Sequence, residues 1–192
     1  MNAVVKIVLI IATCALAASC ENGAGARGVP GDVRQFLGER AVGILQQVQR
    51  VELYRVRRPM PGATSKPAPG TNPSSRPLGG LQILATAPEQ DAAFGRNVAA
   101  LFLSSDAYRF GVAKGCIFQP DTLVRVHGPG GSVEFTLCFS CSEFEVATFD
   151  VDGKPVQANG NREDFDGVAD RLKALIDSGF QPRVAAPRTA PN

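Results

Sequence analysis

The chain has 192 residues, 44% of them hydrophobic and 20% charged, with a formal net charge of +2. That near-balance excludes a polybasic nucleic-acid binder and an acidic tail, so no nucleic-acid partner is expected. Its 14 prolines and 20 glycines are unevenly placed. Part of the length therefore reads as linker, and the remainder is sized for a single domain.

Residues 1–6 carry one positive charge, and residues 7–18 form an unbroken run of apolar and small side chains. Such a run is too short to span a bilayer and reads as the core of a signal peptide occupying residues 1–19. It ends in Leu16, Ala17, Ala18, Ser19 and Cys20. Small residues before an obligatory cysteine resemble the lipobox of bacterial lipoproteins, although Ala17 stands where leucine is commonest. The resemblance implies cleavage before Cys20, acylation of that cysteine, and attachment to a lipid bilayer without a transmembrane helix. Glu21, rather than aspartate, follows the cysteine. By the same resemblance, the location implied is the bacterial cell envelope, at the outer membrane and facing the periplasm. Residues 20–31 lack apolar periodicity and read as the lipidated cysteine followed by a flexible tether.

A single domain is expected over residues 32–180. Helix A is predicted over 33–49, N-capped by Asp32, with Val33, Phe36, Leu37, Ala41, Ile44, Leu45 and Val48 on one face and Gly38 and Gly43 weakening it. Residues 51–56 and 81–86 read as strands. Between them, residues 59–80 hold six prolines and four glycines, a composition suited to a surface loop and not to a helix or central strand. Thr86 and Glu89 form a capping box for helix B over 88–103, with Pro88 in its first turn and Phe94, Val98, Leu101 and Phe102 facing inward.

An antiparallel meander follows, with strands over 122–127, 132–139 and 143–151 and a tight turn at Asp152 and Gly153. Across the Gly-rich turn, pairing Val126 with Val133 and Val124 with Phe135 aligns two apolar faces and sets Arg125 against Glu134. Helix C is expected over 163–178, preceded by Asn161, with Phe165, Val168, Leu172, Leu175 and Ile176 on its core face and Gly179 ending it. Residues 181–192 read as a disordered tail. The fold class is α+β, a mainly antiparallel sheet with about three helices packed on it.

The candidate chemistry lies in three cysteines of the domain, Cys116, Cys138 and Cys141. Extending the hairpin register places Asp121 opposite Cys138 and carries Cys116 back toward Glu143, so the three sulfurs are expected to lie close together. A structural disulfide from Cys116 to Cys138 or Cys141 is one use of such a group. Zinc or copper held by the three thiolates is a second, and thiol redox chemistry through Cys138-Phe-Ser-Cys141 is a third. Lys114 reads as a solvated surface charge. His127 belongs to the opposite end of the sheet, about 20 Å away at 3.3 Å per residue, and no catalytic triad or cofactor site is assigned. The segment from Lys114 to Pro120, followed by Cys138-Phe-Ser-Cys141, is similar to a pattern in small uncharacterised secreted bacterial proteins. The function expected is that of an envelope lipoprotein with a non-catalytic binding or structural domain and an envelope protein as its partner. The alternative is a thiol-redox or metal-handling protein using the three cysteines.

Overall fold

The computed structural model describes residues 28–59, 80–112 and 114–182. The expected signal peptide, Cys20, most of the tether, the interior of the Pro-rich loop and nearly all of the C-terminal tail lie outside the described residues. Among the described residues, no helix is long and apolar enough to cross a membrane.

In chain order the elements are α1 (Gly31–Leu37), α2 (Glu39–Gln46), β1 (Arg50–Arg57), β2 (Gln82–Thr86), β3 (Gln90–Asp91), α3 (Ala92–Phe102), β4 (Thr122–Gly128), β5 (Gly131–Cys138), β6 (Glu143–Phe149), β7 (Pro155–Asp164) and α4 (Ala169–Gly179). Short 3-10 turns occupy Ser105–Ala107 and Asp166–Val168. The seven strands make one sheet in the order β2-β1-β4-β5-β6-β7, with β3 pairing on β1. Every pairing is antiparallel. The expected α+β architecture is present, with four α-helices among the described residues rather than about three.

The extra helix comes from Gly38. Its φ of 80° and ψ of 153° are compatible with glycine and not with continued helix, so the predicted helix A breaks there into α1 and α2. Both pieces keep the predicted stripe. Val33, Leu37, Ala41, Ile44, Leu45 and Val48 are buried, while Phe36 is partly buried against the same core. Val29 already packs on the core and α1 begins at Gly31. Asp32 therefore sits inside the first turn instead of capping it.

Helix B also starts later than the capping box implied. Gln90 and Asp91 pair with Val51 and Arg50 as β3, and the Asp91 carboxylate accepts from the Phe94 N–H at 2.9 Å, making it the true N-cap. Glu89 is drawn to Arg50, 2.9 Å away. At the C-terminal end, β7 runs on to Asp164 because Arg162, Glu163 and Asp164 stay in register with Glu145, Phe144 and Glu143. Strand pairing thus occupies residues expected in helix C, and α4 begins at Ala169. Phe165, Val168, Leu172 and Ile176 remain buried.

Alternation along the strands separates the two faces of the sheet. Val51, Leu53, Val124, Val126, Val133, Phe135, Leu137, Phe144 and Val146 join the helices in the main core. Phe102 of α3 stacks on Phe135 with ring centroids 3.8 Å apart and meets Phe144 edge-on at 5.4 Å. The opposite face carries Glu52, Tyr54, Leu123, Arg125, His127, Ser132, Glu134 and Cys138, and this face holds the candidate chemistry.

Candidate functional sites at the two ends of the sheet

The β4–β5 register is the expected one, with Val126 opposite Val133, Val124 opposite Phe135 and Arg125 opposite Glu134. Its turn depends on glycine at two positions. Gly131 has φ of 128°, and a Cβ there would lie 2.1 Å from the Phe149 carbonyl oxygen; one at Gly128 would lie 3.0 Å from the Ile44 carbonyl oxygen. This turn marks one end of the open face. The β5–β6 turn, with the two downstream cysteines, marks the other.

At the sulfur end the expected pairing is corrected. Cys138 is bonded to Cys141, with Cα atoms 5.7 Å apart, and Cys116 is a free, exposed thiol. Asp121 does come beside Cys138. Its N–H donates to the Leu137 carbonyl at 2.9 Å, and its carboxylate accepts from the Phe139 N–H at 2.8 Å. Upstream of Pro120, however, Phe118 and not Cys116 packs against the two sulfurs. The Arg162 guanidinium lies over that ring, 4.4 Å from its centroid. The disulfide is therefore nearly sealed from water. Joining Cys138 to Cys141 also removes two of the three thiolates that a zinc or copper site would require. Among the described residues, no group of three or more His, Cys, Asp or Glu side chains could hold a metal ion.

Lys114 is more constrained than a solvated surface charge. Its ammonium ion-pairs with Asp164 and Asp166, each 2.8 Å away, and donates to the Cys141 carbonyl at 2.9 Å. Burial works to lower its pKa, but the two carboxylates outweigh burial and the net shift is upward. The same contact, the largest influence on Asp166, holds that carboxyl below its ordinary value. Lys114 thus clamps the segment before β4 to the end of β7 and to the disulfide turn.

At the opposite end, a cleft of about 360 Å³ is lined in part by Arg50, Arg125, His127, Ser132, Glu134 and Phe149. Its floor is a connected set of charges. The Arg125 Nε donates to Glu134 at 2.6 Å, and its Nη1 donates to Glu52 at 3.1 Å. Glu52 also accepts from Arg50 and, at 2.8 Å, from the Tyr54 hydroxyl. Arg50 Nη2 lies 3.4 Å from His127 Nδ1, while His127 Nε2 lies 3.3 Å from Glu52 Oε1. His127 thus stands between the Arg50 guanidinium and the Glu52 carboxylate.

Burial alone would raise the Glu52 pKa. The hydrogen bonds from His127, Arg50 and Tyr54 prevail and hold it well below the ordinary carboxylate range. Burial, reinforced by Glu52, pushes the Tyr54 phenol upward. The expected Arg125–Glu134 pair is present, and His127 does lie far from the sulfurs. Sequence reasoning missed Arg50, Glu52 and Tyr54. Their alternation in β1 was visible, but the placement of β1 beside β4 sets Arg50 opposite His127 and Glu52 opposite Arg125.

The fold and its two sites define a helix-backed antiparallel-sheet domain with a short-range disulfide at one end and an ion-paired polar cleft at the other. No protein-family model, curated protein or solved structure matches the chain.

Proposed function

We propose that the chain is a lipid-anchored protein of the bacterial cell envelope, facing the periplasm from the outer membrane, whose folded domain binds an envelope partner without catalysing a reaction. The observation that carries the anchor is the run Leu16-Ala17-Ala18-Ser19-Cys20 after a short apolar segment. The cleft supports binding over catalysis, because Arg50, Arg125, His127 and Glu134 of its lining belong to one charged network that includes Glu52. With its pKa held low, Glu52 is ionised at neutral pH and is a weak base, unsuited to proton transfer there. Mass spectrometry of the native chain tests the anchor: an acylated N-terminal Cys20 is expected, whereas an unmodified terminus elsewhere overturns it. The Cys20→Ala variant should correspondingly leave the membrane fraction.

A second reading is thiol–disulfide exchange in the envelope. It is favoured by one observation, the bond inside Cys138-Phe-Ser-Cys141 with the free thiol of Cys116 only two residues from Lys114, which holds the Cys141 carbonyl. Thiol titration separates the readings. One reactive thiol that never changes in number supports the binding domain, whereas reversible cycling between one and three supports exchange.

A further inference from the structure

We propose that Phe110, Val112 and Ile117 form a membrane-seating surface at the sulfur end of the sheet, pressed into the headgroup boundary of the bilayer that holds Cys20; this inference rests on the lipid-anchor reading. These side chains are 38%, 57% and 82% exposed, and they fall within eight residues of one another. Among the described residues the other large exposed apolar side chains, Leu84, Val151 and Val156, are scattered over β2, the β6–β7 turn and the start of β7.

Phe110 is held by packing, and Val112 and Ile117 flank a lysine fixed by ion pairs. Phe110 stacks on Tyr108 at 5.0 Å and lies 5.9 Å from Phe36 of α1. Lys114 is tied to Asp164, Asp166 and the Cys141 carbonyl. Val112 and Ile117 stand two and three residues from Lys114, within about 7 and 10 Å of it at the reach of an extended chain. Lys114, beside Asp164 and Asp166, and Arg162, 3.8 Å from Glu143, partly offset the carboxylates at this end, which also include Glu163; the remainder opposes approach to an anionic leaflet and is screened by salt. Arg109, beside Phe110, is exposed.

The leader joins the body at this same end. Phe36 meets Phe110 and Phe144, each at 5.9 Å, and the Tyr108 pKa is raised by burial first, then by Glu163, then by Asp32, which places Asp32 near this ring. Helix α1 is only about 10 Å long, so its first residue stays near Phe110. Eight residue steps separate Cys20 from Gly28, a reach of at most about 28 Å. An acyl anchor on Cys20 therefore suspends the domain with this apolar surface toward the lipid. One acyl chain alone holds a protein weakly, and a second apolar contact on the same side makes attachment durable.

The exposed thiol of Cys116 supplies the probe. Full-chain protein extracted from membranes is labelled there with an environment-sensitive maleimide dye and reconstituted into vesicles of phosphatidylethanolamine and phosphatidylglycerol. With Cys20 acylated and Cys138 joined to Cys141, one dye per chain is expected. Its emission should shift to the blue and be quenched by lipids brominated in their acyl chains. The paired substitutions Val112→Ser and Ile117→Ser should reduce that quenching at least fivefold without altering the circular dichroism of the domain. Equal access of aqueous iodide to the dye with and without vesicles, on a singly labelled acylated chain, overturns the seating surface and leaves the anchor standing. Two or more dyes per chain with an unmodified Cys20 overturns both. Protection of the dye that grows with protein concentration and needs no lipid overturns the inference in favour of a second copy of the chain.

Discussion

Glu134 is 3% exposed at its side chain and Arg125 10% exposed. Replacing Glu134 with alanine leaves a buried guanidinium facing only Glu52 among the named carboxylates of the network. At a separation of about 3 Å and an effective dielectric of about 20, the attraction between such a pair is about 5 kcal/mol, offset by several kcal/mol of desolvation for each ion. Intact, the pair therefore contributes little net stability, but losing one partner exposes the desolvation cost of the other. Glu134→Ala should cost about 3 to 5 kcal/mol, and the pair Arg125→Met with Glu134→Leu should fall within about 1 kcal/mol of the parent chain. Urea unfolding of the parent, Arg125→Met, Glu134→Leu and the double variant closes a double-mutant cycle, with Glu134→Ala measured beside it. A loss below about 1 kcal/mol for Glu134→Ala, or a coupling below about 0.5 kcal/mol, would refute the reasoning, because the network would then be solvated and its members independent.

Three other predictions follow from particular contacts. Because the Glu52 pKa is depressed from 4.5 in the folded state, the unfolded chain binds more protons between the two values, and this contribution is complete above the unfolded value and lost as pH falls; Glu52→Gln should flatten the unfolding midpoint below about pH 5, whereas an unchanged acid slope would contradict it. A Cβ at Gly95 would come within 2.3 Å of Val48 Cγ1 and 2.8 Å of Val51 Cγ2, so Gly95→Ala should lower stability by about 1 to 3 kcal/mol by calorimetry, despite alanine's better helix propensity. The Cys138–Cys141 bond closes a loop with a sequence separation of 3, so its reduction should cost about 2 kcal/mol in chemical denaturation and leave a cooperative transition; loss of cooperativity would show that the bond holds more than its own turn.

The β4–β5 hairpin was legible because two local rules agree on its register. Glycine at 128 and 131 fixes the turn, and a slip of one residue would turn Val124, Val126, Val133 and Phe135 away from the core. Helical faces were legible for a similar reason, since periodicity survives errors in the ends of a helix. The ends themselves depended on tertiary pairing: β3 captured the residues before α3, and β7 captured those before α4. The sulfur pairing was misread because the hairpin was extended as a straight strand past Pro120, whereas the chain there brings Phe118 to the sulfurs and leaves Cys116 outside. The polar cleft was half legible. Arg125 and Glu134 face each other across a local turn, but Arg50, Glu52 and Tyr54 arrive from a strand more than 70 residues earlier, and nothing local encodes that meeting.

That long-range insertion governs how the domain can be built. Strand β1 is synthesised well before β4, the central neighbour on which its inner edge depends, while β4 to β7 pair with their successors as they emerge. The ribosome thus delivers β1 well ahead of the strand that covers its inner edge. Until β4 appears, one row of backbone amides and carbonyls on β1 has no strand to bond, and closing the sheet carries the slow entropy of a distant contact. The vulnerable interval for aggregation is the wait for β4, and a holdase that shields Val51, Leu53 and Val56 during that wait would improve the yield of folded protein.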